Sequence, residues 1–133
     1  MTQVIVLNGG SSSGKTTIAR CLQDAAPQPW IRLSVDDLVD ALPPALVGPA
    51  AGIGFGSRGE VSVGDAFDAA QGAWIAGLAA MARAGARVIY DDVFLGGGES
   101  QARLRAGLSG LDVLWVGVRC ARLILSHVHQ QAV

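Results

Sequence analysis

Val4-Ile5-Val6-Leu7-Asn8-Gly9-Gly10-Ser11-Ser12-Ser13-Gly14-Lys15-Thr16 stands three residues from the start of the chain and decides how the rest is read. Val4 to Leu7 is an unbroken aliphatic run, as a strand buried on both faces requires. Gly9 to Thr16 then matches the phosphate-loop pattern G-x-x-x-x-G-K-S/T. From Gly14 to Ala26 the apolar residues Ile18, Leu22, Ala25 and Ala26 recur at helical spacing, and Pro27 and Pro29 forbid continuation. Strand, glycine loop and helix are the context that gives the pattern its meaning, and in a chain of this composition it arises by accident with a chance of roughly 0.002.

The residue types follow from the chemistry. Glycines let backbone N–H groups close around phosphate oxygens, and the start of the helix adds positive potential. Lys15 is placed to neutralise the β and γ phosphates of a nucleotide, and the Thr16 hydroxyl to meet Mg²⁺. Lys15 is the only lysine among ten basic residues, so a compact ammonium is specifically required at this position. Gly9, Gly10, Ser11, Ser12, Ser13, Gly14, Lys15, Thr16 and Thr17 are therefore expected to hold ATP with its Mg²⁺.

Further along, Trp30 to Val35 reads as a second strand, with Asp36-Asp37 at its end and a short helix from Leu38 to Leu42 stopped by Pro43-Pro44. Carboxylates at that sheet edge face the ligand side of an open α/β fold. Asp36 is the preferred base for the proton of an attacking hydroxyl, Asp37 is the second choice, and capping of the helix is the structural alternative for either. Residues 43 to 64 contain six glycines and three prolines, which suggests a substrate loop, with Ile53 to Phe55 and Glu60 to Val63 as arms of a hairpin around Ser57-Arg58-Gly59.

Asp65 to Arg83 places Phe67, Ala70, Trp74, Leu78 and Met81 on one stripe, a helix facing the core. Arg87 to Tyr90 is a third buried strand delivering Asp91 and Asp92. Asp91 is the better candidate for a Mg²⁺ or substrate role, and Asp92 the weaker. Glu99 to Leu108 follows as a helix and Val113 to Val118 as a fourth strand, and this alternation implies a mostly parallel sheet of about four strands. His127 and His129 fall in what reads as a frayed tail rather than a metal site.

Composition narrows the partners. A chain of 133 residues makes one domain, and with 50% hydrophobic and 16% charged residues it is not a disordered one. A formal charge of -1 without a basic cluster speaks against nucleic acid or an anionic membrane as partner. The start carries no basic signal region, and the apolar run Ala73 to Met81 is too short to span a bilayer, so a cytoplasmic protein is expected. Cys21 and Cys120, 99 residues apart, read as buried reduced thiols.

Beyond the phosphate loop, Pro29-Trp30, Val35-Asp36, Val61-Ser62-Val63-Gly64, the run Ala80 to Ala86, Asp91-Asp92-Val93-Phe94-Leu95-Gly96-Gly97 and Leu111 to Cys120 resemble the chloramphenicol phosphotransferase family, from about Val4 to Cys120. The resemblance implies a three-layer, adenylate-kinase-like P-loop fold and ATP-dependent phosphorylation of the primary hydroxyl of chloramphenicol, hence antibiotic resistance. It implies Asp36 as base and a drug pocket formed partly by the loop after Pro43. Other small alcohols are the alternative acceptors, since sugar and related kinases share this architecture, and an inactive nucleotide-binding remnant is the second alternative. The family pattern continues with an arginine-bearing lid, a helix and a last strand where this chain runs from Arg122 to Val133. A single domain without those elements is expected, with Arg122 as stand-in, Leu123-Ile124-Leu125 covering the sheet edge, and association of copies favoured by any edge left open.

Overall fold

The computed structural model describes residues 1–10, 14–46, 60–92, 94, 97–119 and 122–129, with 60–64 and 122–129 described by their backbone course alone. Four parallel strands, β1 (Val4–Asn8), β2 (Trp30–Ser34), β3 (Arg87–Asp92) and β4 (Asp112–Arg119), are joined through helices α1 (Lys15–Ala25), α2 (Val35–Ala41), α3 (Glu60–Arg83) and α4 (Gly98–Gly107). A fifth strand, β5 (Arg122–His129), returns antiparallel along β4, giving the order β2-β3-β1-β4-β5.

Strand alternation sorts the core into two layers. Ile5, Leu7, Ile89, Val116 and Val118 pack with Ala19 of α1 on one face of the sheet. Val4, Val6, Val88, Tyr90, Val113 and Trp115 pack with Ile75, Leu78, Ala79 and Ala82 of α3 and Leu104 of α4 on the other. Burial on both faces explains why β1 carries no polar residue between Val4 and Leu7.

Several local expectations shift. α2 begins at Val35, three residues before the expected Leu38, because Ser34 caps it and so ends β2 one residue early. Glu60 to Val63 is the first turn of α3 and not a hairpin arm. Once a helix is nucleated each added residue gains a backbone hydrogen bond, which overrides the modest strand preference of Val61 and Val63. The other arm, Ile53 to Phe55, and Ser57 to Gly59 lie outside the described residues. The buried line of α3 is Ile75, Leu78, Ala79 and Ala82, with Trp74 and Met81 packed beside it. Residues 122–129 form a strand along β4, so Leu123-Ile124-Leu125 cover the sheet edge as expected, while His127 and His129, expected in a frayed tail, continue the same strand opposite Leu114 and Asp112. Cys21 is exposed on α1 rather than buried, and Cys120 lies outside the described residues.

Candidate active site

The carboxyl ends of β1, β2 and β3 meet at one edge, where register sets Leu7 beside Asp91 and Asp91 beside Ser34. Gly14 caps α1 at φ 90, a left-handed conformation that glycine adopts without steric cost, and no side chain among the described residues caps the helix. Lys15, the first residue of α1, is buried at 6% exposure and its Nζ donates to the Gly9 carbonyl at 2.7 Å, which folds the ammonium back over the loop. Thr16 and Thr17 are exposed beside it, as are Gly10 and Gly14, while Asn8 and Gly9 are half-buried. Ser11, Ser12 and Ser13 lie outside the described residues.

The two adjacent aspartates of β3 face opposite layers. Asp91, 4% exposed, shares the side of Ile89 and α1; its Oδ1 accepts from Ser34 Oγ at 2.9 Å and its Oδ2 is buried without a hydrogen-bond partner among the described residues. Burial pushes the Asp91 carboxyl above its ordinary value, against the pull of the Ser34 hydrogen bond and of Lys15, and the Asp36 charge adds to the rise. Asp92 lies on the α3 side, away from the loop. Its Oδ1 accepts from the Phe94 N–H at 2.8 Å and its Oδ2 from the Tyr90 hydroxyl at 3.2 Å. Phe94 is held at φ 49, a left-handed conformation uncommon for a bulky residue, and its ring lies 6.3 Å from that of Trp115. Burial first, and then Asp92, raise the Tyr90 phenol well above its ordinary value, so it stays a protonated donor.

At the end of β2 the two carboxylates also divide. Asp37 Oδ2 accepts from the Ser34 N–H at 2.9 Å while Ser34 Oγ accepts from the Asp36 N–H at 3.1 Å, a capping box that commits Asp37 to the helix start. The Asp36 carboxylate is exposed and takes no part in the cap. The structure thus brings Lys15, Asp91 and Asp36 to one edge and leads Asp92 elsewhere. Ser34 is the residue that sequence reasoning missed. Its signal is the S-x-x-D spacing of Ser34-Val35-Asp36-Asp37, a capping-box signature.

These residues fit a nucleotide accompanied by a hard cation. Asp91 Oδ2 is a buried acceptor awaiting a donor, and Thr16 offers a hydroxyl at the start of α1. No cluster of three or more acidic, His or Cys ligands exists among the described residues.

Fold and loop together define an α/β protein of the P-loop kinase type. The chain belongs to the chloramphenicol phosphotransferase-like family, whose model matches residues 2–130. It is similar to "Putative O-phosphotransferase Rv2636" of Mycobacterium tuberculosis (strain ATCC 25618 / H37Rv), 48% identical over 42 residues that make up 32% of this chain and 19% of that protein. The same figures hold for "Putative O-phosphotransferase MT2714" of Mycobacterium tuberculosis (strain CDC 1551 / Oshkosh). The unliganded crystal structure of a sugar kinase from Janibacter sp. HTCC2649 superposes with a TM-score of 0.56 at 25% identity, covering 90% of this chain and 61% of that one. The matched part therefore spans less than two thirds of each of these relatives. Among the described residues, no helix is long and apolar enough to cross a membrane.

Proposed function

We propose that the chain carries the donor site and general base of an ATP-dependent O-phosphotransferase acting on a hydroxyl of a small molecule. The observation that carries this reading is the convergence at one sheet edge of a buried lysine on its glycine loop, an unpartnered buried carboxylate oxygen and an uncommitted exposed carboxylate, those of Lys15, Asp91 and Asp36. Lys15 and the amides of the loop and first helical turn bind the phosphates of ATP. Thr16 and Asp91 would hold the Mg²⁺ that accompanies the nucleotide. Bound Mg²⁺ draws charge from the phosphate oxygens. Asp36 accepts the acceptor's hydroxyl proton as that oxygen bonds to the γ-phosphorus and the bond to the β–γ bridging oxygen breaks, leaving ADP and a phosphate monoester.

Family membership supports chloramphenicol as acceptor, and with it a role in antibiotic resistance. The likeness to a sugar kinase supports a second reading with another alcohol as acceptor. The test is ADP release by the purified chain with chloramphenicol and with a panel of sugars, alongside Lys15→Ala. The proposal expects acceptor-dependent turnover in the parent, and loss of Mg-ATP binding in a variant that keeps its helical and strand content. Near-normal phosphoryl transfer by a folded Lys15→Ala chain would contradict it.

A further inference from the structure

Ser34 is one of the few polar side chains in the interior, 6% exposed. Its hydroxyl is the junction between two parts of the edge that lie far apart in sequence. It accepts from the Asp36 N–H at 3.1 Å and donates to Asp91 Oδ1 at 2.9 Å, across 57 residues of chain. Because the one hydroxyl hydrogen goes to Asp91, the Oγ lone pairs remain for the helix cap. Its backbone N–H, held by Asp37, fixes the rotation of the same residue. Asp91 is thereby held through Oδ1, which leaves Oδ2 as its free oxygen.

We infer that Ser34 is a positioning residue which ties the base-bearing start of α2 to the metal-side carboxylate, fixing the Asp36 backbone and the orientation of Asp91 with a single hydroxyl. The inference rests on the phosphotransferase reading and deepens it. A cap alone needs only an acceptor or a permissive backbone at Ser34, and glycine serves there at little cost. The bond to Asp91 needs a donor. Glycine and threonine therefore separate the two roles, since Gly keeps a workable helix start without the hydroxyl, and Thr keeps both bonds in a strand-like backbone of φ -134 and ψ 154 that suits a β-branched residue.

The experiment measures ADP binding by calorimetry with and without Mg²⁺, and turnover, for the parent, Ser34→Gly and Ser34→Thr. The Gly variant is expected to bind metal-free ADP within twofold of the parent, to lose most of the gain in affinity that Mg²⁺ brings, and to fall at least tenfold in kcat with little change in KM for ATP. Thr is expected to restore both. An unchanged Mg²⁺ gain in a folded Gly variant, or a Thr variant as impaired as Gly, overturns the assignment of Ser34 alone. A parent chain that binds no nucleotide overturns the phosphotransferase reading and this inference together.

Discussion

Asp91→Asn should stabilise the ligand-free protein while removing the Mg²⁺-dependent activity proposed for it. Asp91 is almost fully buried, only one of its oxygens is bonded, and burial leads the causes that raise its carboxyl. An unsatisfied buried polar atom costs about 1–3 kcal/mol, and more when charged. Asparagine keeps an acceptor for Ser34 Oγ and removes the charge, though it leaves a neutral amide nitrogen in the place of Oδ2 and forfeits the attraction of Lys15, so the gain is that of exchanging a charged unsatisfied atom for a neutral one. The net expected gain is about 1–2 kcal/mol. With an unfolding entropy of about 2.1 cal/mol/K per residue, 1 kcal/mol moves the midpoint of a chain this size by about 3.6 °C, so Tm should rise by about 4–7 °C.

The pH dependence has a definite sign. The folded state holds the Asp91 proton more tightly than the unfolded chain does, so stability falls as pH rises from the ordinary carboxyl value of 3.8 through the raised one. The advantage of Asp91→Asn should therefore be full at neutral pH and fade as pH drops below that window. Thermal unfolding without nucleotide or Mg²⁺, at neutral pH and near pH 4, measures both effects. A variant that unfolds below the parent at neutral pH would refute the reasoning, since the carboxylate would then be a structural partner and not an acceptor kept free for a ligand.

Asp92→Ala leaves the Phe94 N–H and the buried Tyr90 hydroxyl without their acceptor, at about 1–3 kcal/mol each. A loss of about 2–6 kcal/mol and a Tm lower by about 7–21 °C are expected by calorimetry, with Asp92→Asn losing about half as much because it retains one acceptor of the two. Gly107→Ala places a methyl on Ile75 Cγ2 where α4 crosses α3, and overpacking of this kind costs about 1–3 kcal/mol. Combining it with Ile75→Ala should cost less than the sum of the two single changes, which denaturant unfolding of all three variants would show.

The loop was legible because its pattern is local: two glycines, one lysine and a flanking strand and helix fall within a continuous stretch. Asp36 and Asp91 were legible as carboxylates at strand ends for the same reason. What no local pattern conveyed was the phase of Asp91-Asp92, since an apolar strand buried on both faces gives no alternation to say which residue faces α1. Ser34 carried a readable cap signal, but its bond to Asp91 depends on β2 lying beside β3, a pairing made across 57 residues. The apolar Leu123-Ile124-Leu125 was legible as cover for the edge of β4, but the extension of β5 to His129 was not, because nearness to the chain end argued for fraying there. Glu60 to Val63 failed in the opposite sense: two valines suggested a strand, and continuity with the long helix behind them prevailed.

The pair on β3 explains why the edge is built with both kinds of carboxylate. Asp92 has its two oxygens occupied by donors that stay protonated at any ordinary pH, the Phe94 amide and a phenol raised by burial, so it stabilises the turn leaving the strand. That turn holds Phe94 in a left-handed conformation costing roughly 1–2 kcal/mol in a residue other than glycine. Asp91, one residue earlier, has the contrary balance, with one oxygen tied and one left unsatisfied. A one-residue slip of β3 against β1 would exchange the two, pointing the satisfied carboxylate at the loop and the unsatisfied one into the aromatic layer. The Asp92 bonds therefore offset the strain at Phe94 and resist movement of the strand that carries Asp91. Part of the stability spent on the unpartnered oxygen is recovered one residue away, on the opposite face of the same strand.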